Sequence, residues 1–129
     1  MADALLDTTF FIDIRRGDND ASTVWNSIVS GRMAASYCAL SAFELWIASG
    51  MSHAEEVFCE FAFTFLEEVP VTRGAATQAA IWLRGLKTPY PEALARDALI
   101  AAVARERDEP IYTRNVRDFQ RFPVRWVRY

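Results

Sequence analysis

Four acidic residues, Asp7, Glu44, Asp97 and Asp118, stand close to the points where short apolar runs give way to helical patterns. Asp7 closes the run Ala4-Leu5-Leu6. Glu44 lies one turn into a helix that follows a second apolar run, and Asp118 comes just after a run ending at Thr113. Asp97 opens the segment Asp97 to Ala104, which is apolar on every side and so is expected to be buried. Carboxylates that converge repel one another and raise one another's pKa unless a hard divalent cation neutralises them, so this set points to Mg2+ or Mn2+. Zinc does not fit. The only histidine, His53, sits in a polar stretch beside a helix start, and Cys38 and Cys59 form no ligand pair.

Three of these acids also have a purely structural reading. Asp7 can cap the helix that follows it, Glu44 is the last residue of a Ser41-x-x-Glu44 capping box, and Asp118 falls in the first turn of a helix, Val116 to Phe119, that Asn115 can cap. Asp97 resists such a reading. An ionised carboxylate in an apolar helix is costly without a partner, and its neighbour Arg96 is expected on another face.

The elements that would position these residues alternate. Ala4 to Leu6 reads as a strand running directly into a helix that Gly17 ends; Ser22 to Ile28 is a second helix, stopped by Gly31. A strand at Met33 to Ser36 precedes a helix from Ala42 to Ser49. Ser52-x-x-Glu55 is a capping box for a helix whose Phe58, Phe61 and Phe65 form a core-facing stripe. A strand at Glu68 to Val71, a helix from Arg73 to Arg84, a loop around Thr88-Pro89, a helix from near Pro91, and strands at Ile111 to Thr113 and Arg125 to Val127 complete the chain. Such alternation implies an α/β fold with a mainly parallel sheet, whose ligands bind at the carboxyl ends of the strands.

At 129 residues, with 52% hydrophobic and 24% charged residues, the chain has the balance of one packed domain spanning residues 1–129 and needs no disulfide staple. Its longest apolar run, Ala98 to Ala104, is far short of the about 20 residues a membrane helix needs, and Met1-Ala2-Asp3 opens without a basic signal region, so a cytoplasmic location is expected. Net charge is −3, yet Arg105 to Tyr129 holds seven Arg against four acids, a local +3 that leaves −6 elsewhere. A basic surface and an acidic cluster can therefore be separate sites on one molecule. Arg114 and Arg117 are candidates to grip substrate phosphates, with Arg121, Arg125 and Arg128 extending the basic edge.

Four blocks carry a family resemblance: Asp7-Thr8-Thr9-Phe10-Phe11-Ile12-Asp13, Ser41-Ala42-Phe43-Glu44-Leu45, Asp97-Ala98-Leu99-Ile100-Ala101-Ala102, and Thr113-Arg114-Asn115-Val116-Arg117-Asp118-Phe119. In order and approximate spacing they resemble the signature of VapC-type PIN domains, the toxin halves of bacterial VapBC toxin–antitoxin pairs, over nearly the whole chain. The resemblance implies a PIN-like α/β/α sandwich with a roughly five-stranded sheet and a metal-dependent endoribonuclease acting on RNA. It also implies that Asp7, Glu44, Asp97 and Asp118 bind one or two Mg2+ or Mn2+ ions. Asp7 and Asp97 would be the principal ligands, Thr113 would hydrogen-bond near the metal, and Asn115 fills a position where the family uses Asn or Asp. Thr9 departs from the pattern, since the family more often has Asn or Ser there. Expected partners are a VapB-like antitoxin, received in a groove for which Trp25, Phe43 and Trp46 are candidates, and a second copy of the chain, in a homodimer or a heterotetramer or octamer with antitoxin.

Two other readings are open at this point. An acyl-phosphate phosphatase or receiver domain also ends its first strand in Asp. The phosphatase wants a second acid where Thr9 stands, and both classes need a Lys near a late strand, whereas the sole lysine is Lys87. The alternative within the family is a catalytically silent PIN scaffold that serves as an antitoxin-binding or interaction module.

Overall fold

Residues 2–48, 50–86 and 90–129 are described in a computed structural model of the chain. The buried residues Ala4–Leu6 form a central strand, β1, which pairs in parallel on one side with β2 (Ala35–Cys38). The outer neighbour of β2 is β3 (Glu67–Val69). On the other side of β1 lie β4 (Ile111–Thr113) and then β5 (Trp126–Arg128). The sheet has five strands in the order β3-β2-β1-β4-β5, and the neighbouring strands pair in parallel.

Parallel neighbours require long crossovers, and helices supply them. Helices α1 (Thr8–Arg15) and α2 (Asn19–Val29) join β1 to β2; α3 (Ala39–Ile47) and α4 (His53–Phe63) lead to β3. Helices α5 (Arg73–Arg84) and α6 (Glu92–Arg107) lead to β4, and α7 (Val116–Phe119) lies between β4 and β5. Because side chains alternate along a strand, β1 feeds two cores. Leu5 packs with Ile111, Phe119 and the Ala-rich faces of α5 and α6, and Leu6 packs with Phe10, Phe11, Tyr37 and Leu45 on the other side. The result is the expected helix–sheet–helix sandwich.

Several elements coincide with the sequence reading, including α5, β4, α7 and the capping box Ser52/Glu55 at the start of α4. Others moved. Asp18 accepts from the Ala21 backbone N–H and starts α2 three residues before Ser22. Strand β2 is shifted two residues from Met33 to Ser36, because pairing with β1 sets its register at Ala35, Ser36 and Tyr37. Helix α3 consequently begins at Ala39 with Cys38 at its N-cap, so Ser41 and Glu44 are not a capping box. The phenylalanine stripe is also not the core face of α4. Of its three members only Phe58 packs against the core; Phe61 and Phe65 are exposed, whereas Cys59 and Ala62, small enough to let helices approach, are buried. Strand β5 starts at Trp126 instead of Arg125. The loop expected around Thr88-Pro89 lies outside the described residues. Among the described residues no helix is long and apolar enough to cross a membrane.

Candidate active site at the carboxyl end of the sheet

Strands β1 and β4 are neighbours, so the residues at their carboxyl ends, Asp7 and Thr113, face one crevice. Asp7 is 5% exposed and occupies the N-cap position of α1, but its side chain makes no cap bond. Its Oδ2 instead accepts hydrogen bonds from Thr113 Oγ1 at 2.8 Å and Thr9 Oγ1 at 2.9 Å. Thr113 Oγ1 in turn accepts from the Asn115 backbone N–H at 2.9 Å, which leaves the hydroxyl proton directed at Asp7. Burial pushes the Asp7 carboxyl above its ordinary value, and the two threonine hydroxyls oppose that push. Thr9 therefore keeps polar support at the position where the sequence departs from the family pattern. Asn115 stands at the N-cap of α7 without a side-chain cap bond and is exposed.

Glu44, on α3, is held at both oxygens. Oε1 accepts from Thr8 Oγ1 at 2.7 Å, and Oε2 accepts from Arg96 Nε at 3.1 Å. Thr8 Oγ1 also lies 2.8 Å from Ser41 Oγ. Since the single Thr8 proton goes to Glu44, Ser41 must be the donor in that contact. Sequence pattern does not single out Ser41, Thr8 or Arg96 as site residues; Arg96, expected on another face than Asp97, forms no ion pair with it among the described residues and meets Glu44 instead. The available signal was a cation beside Asp97, within reach of an otherwise apolar helix.

Asp97 lies in the second turn of α6, half-buried, with no side-chain hydrogen bond among the described residues. Its carboxyl is pushed up to about 7, first by burial and then by the negative charges of Asp118, Asp7 and Glu44, with Arg121 pulling the other way. Asp7, Glu44 and Asp118, which come from different parts of the chain, are thus all near enough to Asp97 for their charges to raise its carboxyl. Asp118, on α7, is half-buried.

Among the described residues no group of three His, Cys, Asp or Glu side chains stands close enough to hold a metal ion as it lies. Unneutralised carboxylates repel, which favours such spacing. The donors themselves suit Mg2+ or Mn2+: all are oxygens, and one, pushed to about 7 first by burial, is raised further by negative charge that a dication would relieve. His53 is almost fully exposed and pairs with Glu56, and burial pushes the thiols of Cys38 and Cys59 up, away from the thiolate a soft metal needs.

The arginines divide into two kinds. Arg114 donates from both terminal nitrogens to Asp18, and its guanidinium lies 5.1 Å from the centre of the Tyr129 ring. The Tyr129 hydroxyl donates to Asp13 Oδ2 at 2.7 Å, closing a latch beside the crevice. Arg125 bonds Asp108. Arg117, Arg121 and Arg128 are exposed and have no ion-pair partner among the described residues. Of the proposed groove residues, Phe43 and Trp46 are exposed, while Trp25 is half-buried against Phe65.

A PIN-domain family model matches residues 4–124. The chain belongs to the PIN-domain family. Among solved structures this PIN domain resembles DNA-bound VapBC from Salmonella typhimurium, at 24% identity and a TM-score of 0.78 over 99% of this chain and 98% of that one. It also resembles VapBC2 from Rickettsia felis bound to a DNA fragment from its promoter (15% identity, TM-score 0.76, 98% of each chain). A toxin–antitoxin complex from Klebsiella pneumoniae is similar over 93% of this chain and 92% of that one, at 21% identity and a TM-score of 0.70. At these identities the likeness is one of fold. No curated protein matches the chain in sequence.

Proposed function

We propose that this PIN domain is a metal-dependent endoribonuclease that hydrolyses RNA phosphodiester bonds, and that it is the cytoplasmic toxin of a toxin–antitoxin pair. The observation that carries the reading is the environment of Asp97, a half-buried carboxylate without a hydrogen-bond partner among the described residues, raised first by burial and then by three other acids. Membership of a nuclease family supports the chemistry, and the likeness to chains of VapBC complexes supports the biological role.

Asp7, Asp97 and Asp118 would hold one or two Mg2+ or Mn2+ ions, with Glu44 completing the wall of the crevice. A bound ion of this kind supplies Lewis acidity toward the phosphodiester and acidity to a water. The chain's own work is orientation. Thr113 and Thr9 both bond Oδ2 of Asp7 and fix the orientation of that buried carboxylate. Arg117 and Arg121 add positive charge where RNA must approach an acidic site, whereas Arg114 supports the latch through Asp18. The exposed apolar side chains of α3, Phe43 and Trp46, would receive a VapB-like antitoxin, and the toxin would act from a homodimer or larger assembly with that partner.

The test is cleavage of RNA by purified protein with Mg2+ or Mn2+ and with EDTA, beside Asp7→Asn and Asp97→Asn. Losing even an outer contact of a metal site typically costs 10–100-fold, so each variant should lose about a hundredfold or more. Cleavage in EDTA, or full activity in both variants, would remove the mechanism. Metal binding without cleavage would leave the silent scaffold.

A further inference from the structure

Resting on the nuclease reading, we infer that Arg96 binds a phosphate of the RNA backbone beside the metal site, and that Glu44 serves chiefly to hold Arg96 there. The carboxylates are not equivalent. Both oxygens of Glu44 are engaged, by Thr8 and by Arg96, and Thr8 is itself braced by Ser41. Asp7 takes both its threonine hydroxyl bonds on Oδ2, and the side chains of Asp97 and Asp118 accept no hydrogen bond among the described residues. Oxygens open to a cation therefore belong to Asp7, Asp97 and Asp118. Glu44 is the acid already neutralised by a cation of the chain's own.

The guanidinium of Arg96 is anchored through Nε alone. Its Nη1 lies 3.7 Å from Glu92, a side chain 95% exposed, and a contact so wet holds little. Its Nη2 has no partner among the described residues. The side chain is 26% exposed, so it is open in part to solvent while Nε is fixed on Glu44. A planar guanidinium fixed in this way presents parallel N–H donors to a phosphate with little rotamer freedom left to lose. Arg114, by contrast, has both terminal nitrogens on Asp18. A site made of four acids repels RNA, and Arg96, next to Asp97 in the chain and bonded to Glu44, adds positive charge beside them.

The experiment measures two bindings separately on wild type, Arg96→Ala, Arg96→Lys and Glu44→Gln, each first checked for folding by circular dichroism. One titration uses Mn2+ alone, read by calorimetry. The other uses a fluorescent single-stranded RNA of mixed sequence in Ca2+, read by anisotropy across a salt series. Arg96→Ala should weaken RNA binding about tenfold and reduce the salt slope by about one, with the Mn2+ midpoint unmoved. Arg96→Lys should fall between, because it keeps the charge and loses the fork. Glu44→Gln should weaken RNA binding while moving the Mn2+ midpoint less than threefold. Wild-type RNA affinity and slope in Arg96→Ala would overturn the assignment and leave the nuclease reading standing. A tenfold loss of Mn2+ affinity in Glu44→Gln, or tighter Mn2+ binding in Arg96→Ala, would make Glu44 a ligand and overturn it too. A wild type that binds neither Mn2+ nor RNA would overturn the nuclease reading and this one with it.

Discussion

At the scale of single residues, the site is built from acids held at different strengths. Asp97 is the least supported, and its carboxyl sits near 7 in the folded protein against 3.8 for an ordinary aspartate. Between those values the folded chain keeps a proton that the unfolded chain has released. Stability owed to neutral Asp97 is therefore complete below about pH 4 and is lost as pH rises through about 7. Asp97→Asn removes that loss. In EDTA at pH 8 the variant should be more stable than wild type by about 2 kcal/mol, allowing for the partial exposure of the group, and the difference should vanish near pH 4. Adding Mn2+ at pH 8 should raise the Tm of wild type and leave the variant's almost unchanged. Thermal melts at the two pH values check this. A variant no more stable than wild type at pH 8 would mean that burial and the neighbouring carboxylates do not act on Asp97 in this way.

At the scale of elements, the same four-residue pattern has two fates. Ser52-x-x-Glu55 is a reciprocal capping box at the exposed start of α4, whereas Ser41-x-x-Glu44 lies inside α3 and faces Thr8 and Arg96. Ser52→Ala should cost about 1 kcal/mol of stability and leave RNA cleavage unchanged. Ser41→Ala removes the donor that braces Thr8 against Glu44, so it should reduce cleavage several-fold while helix α3 keeps its start at Ala39. Urea denaturation and initial cleavage rates on both variants separate the cases, and equal effects would refute the distinction. The contrast also marks how far the sequence could be read. Apolar runs, glycines and proline located most elements, and the acids at strand ends located the crevice. Local pattern could not fix the start of α3, because that depends on the register of β2 against β1. Nor could it reveal that Arg96 meets Glu44, since 52 residues separate them and only the packing of α6 against the sheet joins them.

At the scale of the whole molecule, the parallel sheet has two unlike ends. The carboxyl ends of the strands gather repelling acids, while the amino ends are closed by Glu109, which is buried and fully satisfied. Its Oε1 accepts from Ser36 Oγ at 2.5 Å, and its Oε2 accepts from Arg107 Nε at 2.9 Å and from the Ala2 backbone N–H at 3.2 Å. Arg107 also reaches Glu67 on the edge strand β3, so this one cluster ties β2, β3 and the approaches to β1 and β4 together. Removing one partner of a buried pair strands the other in a place that water cannot fully reach, which makes such a change more costly than any surface substitution. Glu109→Ala should therefore destabilise the protein by about 3–5 kcal/mol, and Glu109→Gln, which keeps an acceptor, by less. The two ends are separated by strands of three or four residues, roughly 10 Å of backbone, and no charged side chain of the lock touches Asp7 or Asp97. Below the lowered Tm, Glu109→Gln should therefore bind Mn2+ with wild-type affinity by calorimetry, and a midpoint that shifts in step with stability would show that the acidic end depends on the lock for its shape.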